Sequence, residues 1–339
     1  MDCEWKLEGT KKEISKYRGA QTDLVIPADS GITGIGVGAF ARCEALQTLV
    51  IPEGVEEIAF RAFWNCKNLR EVTLPSTLRF LHAGAFENCE KLHALHFPKG
   101  VHPLPLVSKY AFRNCPALTD ENGFVIIDGT AYRGKEPSGC ITIPEGVRVL
   151  SRDLFDGCEQ ITEVRLPGSL RKIDVAAFRG CTNLEKLELP SELTEIHASA
   201  FFGCEKLFPE DSNFLIQNGW LCAYRGHEEH VVVPDGVTHI CSGVFSGSIL
   251  LTTVTLPDSL VSIGSSAFAS CLFLKEADLP PGLQTIGPMA FYRCHRLRLQ
   301  LMPPTLKEIG FEAYFECPFP LSLPDMPDSP EADQIGSGL

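Results

Sequence analysis

The sequence predicts an α/β repeat fold: a solenoid of about eleven 23-residue coils with one parallel sheet face and three inserted β-hairpin segments. Three observations predict it. Aromatic residues recur every 23 positions, at Phe40, Phe63 and Phe86, at Phe155, Phe178 and Phe201, and at Phe245, Phe268, Phe291 and Tyr314. A proline closes a short apolar run once per unit, at Pro27, Pro52, Pro75, Pro98, Pro144, Pro167, Pro190, Pro234, Pro257, Pro280 and Pro303. Ten cysteines share one repeat position: Cys43, Cys66, Cys89, Cys115, Cys158, Cys181, Cys204, Cys271, Cys294 and Cys317. A chain that stacks one small unit on the next produces shape and surface, not chemistry at a single pocket.

The stretch from Cys66 to Phe86 shows how each element arises. Val72 and Leu74 alternate with Glu71 and Thr73, the two-residue period of a short strand with one buried face. Pro75 lacks a backbone donor and ends that strand at a turn. The spacing from Leu78 to Leu81 carries a second short extended piece to Ala85 and Phe86, where a single helical turn is expected before Cys89. One coil buries too little apolar surface to offset the ordering of its own residues. Neighbours must therefore cover both open faces and supply the strand hydrogen bonds. Eleven such strands about 4.8 Å apart make a sheet roughly 50 Å long.

Three segments interrupt the register: Cys3–Gly19, Asn122–Gly134 and Asn213–Gly226. They end alike, in Tyr17-Arg18-Gly19, Tyr132-Arg133-Gly134 and Tyr224-Arg225-Gly226. Asp128-Gly129 and Asn218-Gly219 each lie between apolar runs, the signal of a two-residue hairpin turn. The segments read as β-hairpins that project from or cap the solenoid. They divide it into a hairpin cap with a first repeat block (1–120), a hairpin with a second (121–211) and a hairpin with a third (212–320). The first hairpin would shield the open N-terminal edge. A smaller insertion, His102–Lys109, bulges from the fourth repeat with Pro103 and Pro105. Residues 321–339 are acidic and rich in Pro, Gly and Ser, and read as a disordered tail.

Hydrophobic and charged shares of 44% and 22% are those of an ordinary folded protein. A formal charge of −13 disfavours nucleic acid and anionic membrane as partners. No apolar run is long enough to span a bilayer, so membrane insertion is not expected. No leader is visible after Met1, so a cytoplasmic location is expected, with the cell surface or secretion as the alternative if a leader was removed. Ser248 stands at the cysteine position of one repeat, which marks a small buried slot instead of half a bridge. Free thiols in a reducing compartment follow from that reading.

The repeat resembles the BspA-like subclass of bacterial leucine-rich repeats, whose unit has the form L-x-x-I-x-I-P-x-x-V-x-x-I-G-x-x-A-F-x-x-C. Leu256-Pro257, Leu260, Ile263-Gly264, Ala267-Phe268 and Cys271 match it almost position for position, and the likeness runs over about residues 4–320. The resemblance implies a leucine-rich repeat solenoid with the proline-ended strands on a concave face. It also implies protein binding, often as a bacterial surface adhesin. No catalytic residues come with it. A non-enzymatic scaffold is therefore expected, with an adhesin for host protein or glycan as the alternative and a metal-assisted enzyme as a remote one.

Four clusters invite sharper readings. Gly31, Gly34, Gly36 and Gly38 resemble a phosphate-cradling loop, but Ile32 and Ile35 between them are the ordinary repeat pair and no long helix follows. His227-Glu228-Glu229-His230, near Cys222 and His239, lacks the order of a zinc helix and reads as a solvated loop end. Cys89 with His93 and His96 is weaker, since the histidines fall at outward strand positions. Trp64, Phe202, Tyr292 and Phe315 follow the repeat aromatic; they could form a second contact row but are expected to pack between coils. No metal or cofactor is expected. Binding is expected on the outward strand positions, above all Glu71, His96, Glu163, Arg165, Lys186 and Glu188. Charges in adjacent strands there could instead neutralise one another. Val25, Val50, Leu299 and Leu301 make the sheet ends more apolar, fit for a partner or a second copy.

Overall fold

The structure, a computed structural model, describes residues 3–97, 106–197, 199–298 and 302–318. Pro98, His102, Pro103, Pro105, Leu299, Leu301 and the acidic tail 321–339 lie outside the described residues. The chain divides into two compact units, Met1–Glu210 and Asp211–Leu339. Each is a stack of coils. No helix among the described residues is long and apolar enough to cross a membrane.

In unit 1, strands Asp23–Val25, Thr48–Val50, Glu71–Thr73 and Ala94–His96 pair in parallel, with Leu24, Leu49, Val72 and Leu95 side by side. A second parallel sheet on the same repeat positions comprises Gly139–Thr142, Ile161–Arg165 and Lys186–Leu187. These strands form the front face. The expected single expanse is thus two sheets in unit 1, because the chain between Leu118 and Gly139 goes into the second hairpin and not into a front strand. Unit 2 has its own front sheet, His230–Val232, Thr253–Thr255 and Glu276–Asp278.

The short piece after each proline is a strand too, so every coil also adds a rung to a back sheet. Gly34–Ile35, Glu57–Ile58, Phe80–Leu81 and Leu106–Val107 pair in parallel. All three inserted segments are antiparallel hairpins: Cys3–Glu8 with Lys11–Tyr17, Phe124–Ile127 with Thr130–Arg133, and Phe214–Gln217 with Trp220–Tyr224. They do not project. The inner strand of each pairs in parallel with the first coil that follows, so each hairpin begins a back sheet. Asp128-Gly129 has φ of 44° and 75°, and Asn218-Gly219 has 48° and 78°, the mirror-image turn that matches strand twist.

The expected helical turn at the repeat aromatic is instead a run of reverse turns. Ala62, Trp64 and Cys66 donate backward to Ala59, Arg61 and Phe63. The alternate amides of Arg61, Phe63 and Asn65 donate outward to Ala83, Ala85 and Glu87 of the next coil. A helix would use every amide within its own turn; this arrangement divides them between the turn and its neighbour. It requires left-handed backbone two residues either side of the aromatic, as at Arg61, Asn65, Gly84 and Asn88. Each non-glycine residue there costs about 1–2 kcal/mol, which the inter-coil hydrogen bonds offset.

The aromatics stack within the core. Phe63 lies 5.0 Å from both Phe40 and Phe86, and Phe178 lies 5.2 Å from Phe155 and 5.4 Å from Phe201. In unit 2, Phe268 lies 5.0 Å from Phe245 and 5.1 Å from Phe291. Beside them runs a thiol ladder. Cys66 Sγ donates to the Phe40 carbonyl at 3.0 Å, Cys89 to Phe63 at 3.2 Å, Cys204 to Phe178 at 3.0 Å and Cys294 to Phe268 at 3.1 Å. Each sulfur reaches the carbonyl of the previous coil, and neighbouring sulfurs such as Cys66 with Cys89 and Cys294 with Cys317 also lie within hydrogen-bonding reach of one another. Ser248, another small side chain, stands half-buried in the same slot.

Candidate interaction face

The outward front positions stand where the alternation places them, and they fall into separate groups. In the first sheet, Glu71 faces two histidines: Oε1 lies 3.5 Å from His93 Nε2 and Oε2 lies 3.5 Å from His96 Nε2. Sequence reasoning paired Glu71 and His96 only as members of one surface and did not place His93 with them. His93 Nδ1 meets the Lys91 carbonyl at 3.1 Å, which orients the ring. At the sheet's start, Thr48 donates to Asp23 at 2.6 Å, and this bond with that of Thr22 holds the Asp23 carboxyl below its ordinary range. Val25 and Val50 are exposed beside it.

The second sheet gathers the charged group. Glu163 lies between Cys140 and Lys186 in register, and Arg165 lies beside Thr142. Arg165 Nε donates to Glu163 Oε1 at 2.8 Å, along one strand and not across two. That bond lowers the Glu163 pKa, with the Arg165 and Lys186 charges adding to it. Lys186 and Glu188, both exposed, make no ion pair among the described residues. Cys140 is exposed in the same row, unlike the ladder thiols.

In unit 2 the row is milder: His230 Nδ1 meets the Thr253 hydroxyl at 2.7 Å. The Glu228 oxygens are occupied by the Tyr224 hydroxyl and by Asn213 Nδ2. No group of three ligating side chains that could hold a metal ion occurs among the described residues. The glycine-rich stretch serves packing, with Ile32 and Ile35 buried and Gly36 pressed against the Ile14 carbonyl. Of the aromatics after the repeat position, Trp64 is held by Arg42 and Arg61 at 4.7 and 5.4 Å, and Tyr292 stacks on Phe315 at 5.6 Å. Phe202 departs from the expected inter-coil packing and is 70% exposed.

Two features were missed in the sequence. The first and third Tyr-Arg-Gly endings are coil caps: Tyr17 stacks on Phe40 at 4.8 Å and Tyr224 lies 5.0 Å from Phe245, so tyrosine takes the place of the repeat aromatic. In the second, Tyr132 instead meets Phe112 edge-on and Phe124 meets Phe155. Arg133 is buried and donates to the carbonyls of Leu154 at 2.6 Å and of Asp153 and Asp156 at 3.2 Å, at the open edge of the following coil. The second feature is a groove of about 660 Å³ on the back of unit 1, where Phe80 and Leu106 face Thr130, Tyr132, Arg148 and Lys172. Its walls come from two back sheets, and no local sequence signal announces such a crease.

The repeat geometry agrees with a family model described as the BspA type leucine rich repeat region, which matches residues 16–123, 106–210 and 222–332. The chain belongs to the BspA-type leucine-rich repeat family. Among solved structures, a leucine-rich repeat protein from Bacteroides ovatus is 24% identical over 94% of this chain and 91% of its own, with a TM-score of 0.32. A leucine-rich cell surface protein from Faecalibacterium prausnitzii is 22% identical over 92% of this chain and 93% of its own, with a TM-score of 0.33. The leucine-rich repeat protein of T. pallidum is 29% identical over 56% of this chain and 82% of its own, with a TM-score of 0.29. A comparison with curated proteins finds no match.

Proposed function

We propose that this BspA-type repeat protein is a non-enzymatic scaffold that captures a protein partner on the front face of unit 1. The carrying observation is the state of the charges on the second sheet. Glu163 and Arg165 satisfy each other, whereas Lys186 on the adjoining strand and Glu188 just after it are exposed and without an ion pair among the described residues. A face that merely neutralised itself would have paired them across strands. Rigid strands hold both signs in fixed positions, so a complementary partner is bound without ordering a loop. The Glu71, His93 and His96 group supplies a second polar anchor on the other front sheet.

The test is a quantitative pull-down with the intact chain as bait, followed by titration of the captured partner. Replacing Arg165 and Glu188 together by alanine should weaken binding about tenfold or more while leaving the melting curve unchanged, since both side chains are exposed. Unchanged affinity would remove this face from the account. The reading is of a cytoplasmic protein, because ten cysteines on one repeat position suit a reducing compartment. Complete pairing of the thiols in isolated protein would instead make a secreted adhesin for host protein or glycan the better reading.

A further inference from the structure

We propose that unit 2 carries a self-association surface on which a second copy of this chain docks about a two-fold axis. The two positions after the repeat cysteine are polar or small in unit 1, as in Lys67-Asn68, Glu90-Lys91 and Thr182-Asn183. No coil of unit 1 puts two large apolar side chains there. In unit 2 the same positions read Ile249-Leu250 and Leu272-Phe273, exposed by 60%, 52%, 36% and 41%. Four large apolar side chains thus stand together in water on two adjacent coils.

The charges around them determine the occupant. The Thr252 amide donates to Glu229, that of Lys275 to Thr252 and that of Arg298 to Lys275, so these four residues stand in line on successive coils. The line begins acidic at Glu229 and ends basic at Lys275 and Arg298, with Arg296 lying over the Phe273 ring at 4.6 Å. Glu229, Lys275 and Arg298 make no ion pair among the described residues. An order of acid, apolar, base is complementary to its own reverse. A two-fold axis between the Leu250 and Phe273 coils lays Ile249 and Leu250 on the partner copy's Leu272 and Phe273. The same rotation sets Glu229 against the other copy's Arg298. A two-fold interface requires such self-complementarity, and an unrelated partner would not. Four coils about 4.8 Å apart make a ridge only some 15 Å long, so the dimer is weak and depends on concentration.

Sedimentation equilibrium on the intact chain, from about 1 to 100 μM, tests this. A reversible monomer–dimer equilibrium is expected. Phe273→Glu should weaken it at least about a hundredfold. Glu229→Arg and Arg298→Glu should each weaken it about tenfold, and the two combined should restore it, because both signs are exchanged together. Those charged side chains are exposed, so the charge series stands even if Phe273→Glu disturbs folding. A chain that stays monomeric throughout, a dimer indifferent to Phe273→Glu in a folded variant, or a combined variant no better than the single ones would each overturn the proposal.

Discussion

Truncating one aromatic in the middle of the stack tests the repeat core most directly. Phe63 is fully buried, with Phe40 and Phe86 each 5.0 Å away. Removing a buried phenylalanine side chain costs about 3–5 kcal/mol through lost transfer energy and the cavity left behind. Each stacked pair contributes about 0.5–1.5 kcal/mol of specific ring contact, which places Phe63→Ala at the upper end of that range. Phe201 is equally buried but has one ring neighbour among the described residues, Phe178 at 5.4 Å. Phe201→Ala should therefore cost about 1 kcal/mol less. Urea unfolding followed by circular dichroism, with linear extrapolation to water, gives both values. The shift should fall on the transition of unit 1, because coupling in a stack runs between neighbouring coils. A loss below about 1 kcal/mol for Phe63→Ala, or a greater loss for Phe201→Ala, would refute a core built from continuous ring stacking.

Four other outcomes follow from the same geometry. Arg133→Met should destabilise unit 1 by about 1–3 kcal/mol in urea, since the Leu154 carbonyl loses its charged donor while those of Asp153 and Asp156 keep the Asp156 amide and Lys109; a neutral result would show that water caps Leu154 as well. Gly129→Val should cost about 1–2 kcal/mol, because φ of 75° is open to glycine and strained for a β-branched residue. Burial pushes the Cys115 and Cys271 thiols up to about 12 and Cys158 to about 11, from an ordinary value near 9. The folded state thus keeps protons that the unfolded chain releases, so this stabilisation is complete below pH 9 and disappears as pH rises through 11 to 12. The urea midpoint should fall across that interval; a flat profile would place the thiols in water. In native protein, iodoacetamide should react first at Cys140, the exposed thiol.

The fold was legible because its information is redundant. Each coil repeats the same inward side chains, so Val72, Leu74, Phe63 and Cys66 could be assigned from spacing alone, and all are buried. The hairpins were legible through Asp128-Gly129 and Asn218-Gly219, whose turn chemistry is local. The back sheet was not. The strands that the coils add to it are two residues long, too short for a period to register, and read only as an extended piece. The reverse-turn ladder was also hidden, because residues as different as Arg61, Asn65, Ala176 and Met289 adopt the left-handed backbone that glycine advertises elsewhere. There the hydrogen bonds between coils decide the conformation, and local preference is overridden. Site residues were legible as exposed positions but not as pairs. Arg165 chose Glu163 on its own strand over a neighbour across the sheet, and His93 joined Glu71 from outside the strand.

A repeat makes its common features uninformative about function, since every coil must carry them to stack. Information lies in the departures. Cys140 is a thiol outside the ladder, Lys186 and Glu188 are charges left without an ion pair among the described residues, and Ile249 to Phe273 is an apolar step where other coils are polar. None of these is needed to close a coil, and the apolar step costs solubility without adding core. A stack tolerates such positions only because stability comes from the inward side chains, so outward ones are free to change. For that reason the front-face variants and the unit 2 variants should separate cleanly from folding, whereas substitutions at Phe63 or Arg133 should not.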